Sequence, residues 1–80
     1  MVTPEEVQRY IEQGMACELV RVTGDGAHFE AVVVSAEFAG KTRVARHQVV
    51  YRALGDRMRE EIHALSMQTL TPEDWQQARR

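Results

Sequence analysis

Apolar residues recur along this chain first at helical spacing, then in β-branched runs, then at helical spacing again. Thr3-Pro4-Glu5-Glu6 is a helix start: threonine caps, proline suits the first helical position, and Glu6 stands three residues on, as a capping box requires. Val7, Tyr10 and Ile11 follow at intervals of three and four, and Gly14 is placed to close the helix. Residues 17–23 and 28–35 are rich in valine and read as strands. The Gly24-Asp25-Gly26 turn between them predicts a hairpin.

Phe38-Ala39-Gly40-Lys41 breaks the strand pattern and leads into a second helical region. There Val44, His47, Val50 or Tyr51, Leu54, Met58 and Ile62 follow helical spacing, which puts the arginines mostly off the apolar stripe. Gly55 marks either a kink or an end followed by one further turn. Residues 64–70 alternate well enough for a third strand. Thr71-Pro72-Glu73-Asp74 repeats the capping device and starts a terminal helix whose Trp75 is expected in the core. The predicted order is α-β-β-α-α-β-α in a single domain spanning residues 1–80. A three-stranded sheet with helices packed on one face, an α+β architecture, buries the apolar sides.

Composition narrows the range of functions. A chain of 80 residues buries only about 60% of its unfolded surface, leaving little room for an enclosed active site. An apolar share of 44% beside 28% charged residues belongs to a globular domain and argues against wholesale disorder. No apolar run approaches the roughly 20 residues of a membrane span, and Met-Val-Thr-Pro-Glu-Glu lacks a signal core. Cytoplasmic placement is therefore expected, with no membrane partner. A lone Cys17 cannot form an internal disulfide, which suits a reducing compartment.

Charge is unevenly distributed. Residues 1–40 hold two arginines against seven acids, whereas residues 41–63 hold six bases against three acids. Such a basic segment on an acidic chain could attract an anionic partner. Arg43, Arg46, Arg52 and Arg57 could meet phosphates, with Gln48 reaching a base edge. The whole-chain pI of 5.9 is nevertheless far below the value above about 9 usual for a dedicated nucleic-acid binder.

No nucleophile elbow, phosphate-binding glycine loop or His-Glu-x-x-His helix is present, so an enzyme is not expected. Cys17 reads as a small core residue. His47 falls on the apolar stripe and reads as structural. His28, beside a glycine-flanked turn, and His63, where a helix gives way to a strand, are the candidate metal ligands. Two side chains fall short of the four ligands that a tetrahedral zinc or iron–sulfur site needs.

The ordered set of these segments resembles the BolA family over about residues 4–76. It comprises Gly24-Asp25-Gly26-Ala27-His28-Phe29, Phe38-Ala39-Gly40-Lys41, Arg46-His47-Gln48-Val49-Val50-Tyr51, Ile62-His63-Ala64-Leu65 and Leu70-Thr71-Pro72-Glu73-Asp74-Trp75. The resemblance implies a fold similar to type II KH domains. It implies a heterodimer with a monothiol glutaredoxin, the two sharing a bridging [2Fe–2S] cluster with glutathione. His63, in the Ile-His-Ala motif, is then one ligand from this chain. The second comes from the loop before the second strand, where His28 makes the chain similar to the histidine-type subgroup. Imidazole in place of thiolate removes negative charge from iron, which should raise the reduction potential. Lys41 and the arginines would steer the partner's carboxylates into place.

The alternative that the resemblance also admits is a nucleic-acid-binding regulator using the helix from Arg43. Gly40-Lys41-Thr42-Arg43 lacks the second glycine of the KH Gly-x-x-Gly loop, so sequence-specific recognition is not expected. A plainer reading makes the chain an interaction module whose histidines bind nothing.

Overall fold

Side-chain caps set the helix boundaries. In a computed structural model, which describes residues 2–79, the first helix, α1 (Pro4–Gly14), begins with a complete capping box. Thr3 Oγ1 accepts from the Glu6 N–H at 3.1 Å, and Glu6 Oε1 accepts from the Thr3 N–H at 3.0 Å. The chain continues through β1 (Leu19–Gly24), β2 (His28–Val34), a 3₁₀ turn (Ala36–Phe38), α2 (Arg43–Leu54), α3 (Asp56–Glu60), β3 (Ala64–Leu70) and α4 (Pro72–Ala78). Element order thus follows the expectation, with the 3₁₀ turn added between the second strand and the long helix. Gly55, at φ +59°, takes the left-handed backbone that ends α2, and α3 is the single further turn beyond it.

The sheet is mixed, in the order β1-β2-β3. Strands β1 and β2 form the antiparallel hairpin, Leu19 opposite Val34 and Gly24 opposite Phe29. Strand β3 returns parallel to β2, with His28 opposite Ala64 and Val34 opposite Leu70. Parallel pairing requires a crossover, which residues 35–63 supply as the 3₁₀ turn, α2 and α3.

One sheet face presents Val20, Phe29, Ala31 and Val33, all buried, to the helices. Val7 and Ile11 of α1 and Val50 and Leu54 of α2 complete this core, and Phe38 of the 3₁₀ turn is fully enclosed within it.

Three expectations are corrected. The first strand begins at Leu19 rather than Cys17, because the chain is still leaving α1 there: Met15 closes the helix and only from Glu18 does the backbone bond to Val34. The buried face of α2 is also rotated from the predicted stripe. Val49, Val50 and Leu54 face inward, whereas Val44 is 68% exposed and Tyr51 40%. Two adjacent valines compete for the core with residues at regular spacing, and the pair lying between α1 and the sheet prevails. Trp75 is partly exposed on α4 rather than buried in the core.

The α1–α2 contact depends on Gly14, where an added Cβ would collide with the Ala53 carbonyl. Alanine normally favours a helix over glycine by about 1 kcal/mol. Gly14→Ala is expected to act in the opposite sense, costing about 1–3 kcal/mol in denaturant unfolding because backbone must move to admit the methyl. A gain in stability would contradict this packing.

Candidate metal half-site

Two strand starts form the site. The hairpin turn before His28 is held by Asp25, whose Oδ1 accepts from the N–H of Ala27 at 3.0 Å and of His28 at 2.9 Å. Gly26, at φ +96°, supplies the left-handed turn residue. These bonds hold the Asp25 carboxyl below its usual range, the His28 N–H contributing most. The turn therefore carries a fixed negative charge against the backbone of His28, which begins β2 with its side chain exposed.

The chain reaches His63 from α3. Ile62 before it is 4% exposed and anchored in the core; Ala64 after it opens β3 opposite His28. His63 itself is exposed. Adjacent strands lie about 4.8 Å apart, so the parallel register brings the backbone of His28 and of His63 to the same end of the sheet although they stand 35 positions apart. Among the described residues no group of three or more histidine, cysteine or acidic side chains converges as a metal site. The donor types suit half of a four-ligand centre: two imidazoles at neighbouring strand starts, exposed to solvent.

Tyr10, which sequence reasoning assigned only to the helical stripe, reaches the segment before His63. Its hydroxyl donates to Glu61 Oε1 at 3.1 Å, two residues before His63. The Arg57 guanidinium lies 3.9 Å from the centroid of its ring. Because α3 has no buried residue, these contacts and Ile62 fasten the approach to His63 onto α1. An aromatic residue with a polar tip near the exposed end of the stripe was the available signal.

The basic residues divide into two sets. Arg46 was expected on a nucleic-acid or partner surface, and the structure uses it internally. Its Nη1 donates to the Thr69 carbonyl and to Asp74 Oδ2, both at 3.1 Å, while Nε donates to the Lys41 carbonyl at 3.0 Å. Its side chain is 19% exposed. Arg46 thus ties α2 to β3 and α4, and an arginine so placed has few donors left for a partner. Arg57, also expected on that surface, is stacked on Tyr10 although it remains exposed. Lys41, Arg43, Gln48 and Arg52 are exposed, and none of the three cations forms an ion pair within the described residues. His47 is partly buried beside the end of β3.

Residues 7–74 match the family model described as "BolA-like protein". The chain belongs to the BolA family. A BolA homologue from Coxiella burnetii has the same fold, with a TM-score of 0.85 at 46% identity, over 95% of this chain and 99% of that one. The Escherichia coli protein named acid stress protein IbaG is 34% identical over 76 residues, 94% of this chain and 90% of its own length. The Haemophilus influenzae protein named DNA-binding transcriptional regulator BolA is 42% identical over 52 residues, 65% of this chain and 50% of its own length. Against that regulator, and a second one from Vibrio cholerae, the match spans about half of the relative. No helix among the described residues is long and apolar enough to cross a membrane.

Cys17 lies away from the histidine pair, half-buried, its Sγ directed to the Met15 carbonyl at 3.7 Å. Burial, and then the charges of Glu37 and Glu12, push its thiol up to about 11. Only the thiolate is nucleophilic. Alkylation by iodoacetamide at pH 7 is expected to be at least about tenfold slower than for free cysteine. Its rate should still be climbing above pH 9; a plateau near pH 8.5 would contradict the assignment.

Proposed function

We propose that this BolA-family chain is a non-enzymatic adaptor, active in iron–sulfur cluster trafficking or iron sensing. It binds a monothiol glutaredoxin, and His63 and His28 are its ligands to a [2Fe–2S] cluster held between the two proteins with glutathione. The observation that carries this reading is the parallel register of β2 and β3, with His28 opposite Ala64 and His63 next to it. Two exposed histidines at one end of the sheet, with no group of three or more donors among the described residues, suit a site that a partner completes.

The chain's own residues have separable tasks in this reading. Asp25 holds the turn so that His28 is presented at a fixed strand start. Tyr10 and Ile62 hold the approach to His63. The cluster, when bound, would supply electron transfer and labile iron; the imidazoles would supply nitrogen ligands. Histidine at the loop position is the feature by which the chain resembles the histidine-type subgroup. Lys41, Arg43 and Arg52, exposed and without an ion pair among the described residues, are available to steer an acidic partner.

DNA binding is the second reading, favoured by the names of the Haemophilus and Vibrio relatives. The commitment of Arg46 and Arg57 to other parts of the molecule weakens it. So does the outward crest of α2, which carries Val44 and Tyr51 beside Gln48.

The reading is tested by titrating a cluster-loaded monothiol glutaredoxin with the chain and following visible absorption and circular dichroism. Wild type is expected to give a saturable spectral change. His63→Ala should weaken it about tenfold or more, His28→Ala should alter the final spectrum, and His47→Ala should leave both unchanged. Far-ultraviolet circular dichroism checks that each variant is folded. No spectral change with saturating wild type would refute the shared-cluster role.

A further inference from the structure

The other end of β3 carries a feature that the histidine pair does not use. Ser35 N–H bonds to the Leu70 carbonyl across the β2–β3 pairing. Alternation along the strand then turns the N–H and C=O groups of Ser66, Gln68 and Leu70 toward β2, and those of Leu65, Met67 and Thr69 outward. β3 is an edge strand, so the outward groups have no strand beside them. Of these, the Thr69 carbonyl is taken by Arg46. The remainder line an open edge.

A groove of about 380 Å³ runs along this edge, between the end of β3 and the start of α2. Lys41, Arg43 and His47 form its far wall, with Met67 and Gln68 on the strand side. Asp74 answers Arg46. Lys41 and Arg43 have no ion-pair partner among the described residues, so the groove keeps two unspent positive charges beside unpaired strand backbone.

We propose that this groove is a docking site for an extended acidic peptide segment of a partner protein, which adds to the β3 edge as a further strand. Main-chain bonds to Leu65, Met67 and the Thr69 N–H would supply affinity, and alternate acidic side chains would meet Lys41 and Arg43. Single-stranded nucleic acid is the competing occupant. The groove lacks the Phe, Tyr or Trp that would stack a base, and Arg43 stands where a phosphate-binding loop would have glycine, which favours the peptide.

The test uses a short fluorescein-labelled peptide alternating glutamate and valine, followed by anisotropy with the full chain. Saturable binding is expected, weakened about tenfold by Arg43→Glu. That variant should fold normally, because Arg43 is exposed and an acidic residue in the first turn of a helix is favourable. A peptide alternating lysine and valine should bind Lys41→Glu/Arg43→Glu in preference to wild type. Bound peptide should also slow amide hydrogen exchange at Met67 and Thr69. The absence of saturable binding, or binding that leaves those two amides unprotected, would overturn the proposal. So would displacement of the peptide by oligothymidylate of equal charge, which would assign the groove to nucleic acid. None of these readouts involves the cluster, so the outcome is independent of the histidine reading.

Discussion

The parallel pairing of β2 with β3 is the constraint on which the rest of the molecule depends. A hairpin forms from neighbouring residues; a parallel strand must return from the far end of the sheet through a long crossover. Residues 35–63 make that journey, and the burial of Phe38, Val49, Val50, Leu54 and Ile62 holds the crossover against the sheet. The register that results, Phe29 with Leu65 and Ala31 with Met67, sets these apolar side chains on the face toward the helices. Shifting β3 by one residue would turn its side chains to the other face. The same register brings the start of β2 to the start of β3, so the demand for a packed core also sets the histidine pair.

Polar contacts hold the two ends of β3 in different ways. At its start, Tyr10 holds Glu61 and Arg57 against α1, next to His63. At its end, Arg46 gathers the Thr69 carbonyl and Asp74, joining α4 to the body of the protein. Asp74 also completes the capping box of α4 with Thr71, and those bonds hold its carboxyl below the usual range, the Thr71 N–H contributing most. Both clamps use side chains whose charge or polarity would otherwise suggest a surface role. The clamp at the start of β3 lies against the segment before His63, while Asp25 closes the turn before His28.

Element order was legible in the sequence because its signals are local. Thr3 and Thr71 with their prolines, the Gly24-Asp25-Gly26 turn and Gly55 each act within a few residues, and each lies where an element begins or ends. The facing of α2 was not legible. Val44 and Tyr51 fit helical spacing as well as Val49 and Val50 do, and only the tertiary contact with α1, closed by Gly14, decides between them. Arg46 escaped for a similar reason: an arginine in a basic segment reads as exposed, and its partners Thr69 and Asp74 come from elements more than 20 residues away. The proximity of His28 and His63 depends on strand order and direction, which periodicity does not encode. It entered through the family resemblance, and the register of β2 and β3 supplies its geometric basis.

The central proposal is that His28 and His63 serve one iron–sulfur centre. Pulsed electron paramagnetic resonance of the reduced complex with a monothiol glutaredoxin tests it most directly, using ¹⁵N-histidine in this chain alone. The account predicts two ¹⁵N hyperfine couplings, one removed by His63→Ala and the other by His28→Ala. A reduced cluster coupled to no labelled nitrogen, or to one that survives both substitutions, would contradict it.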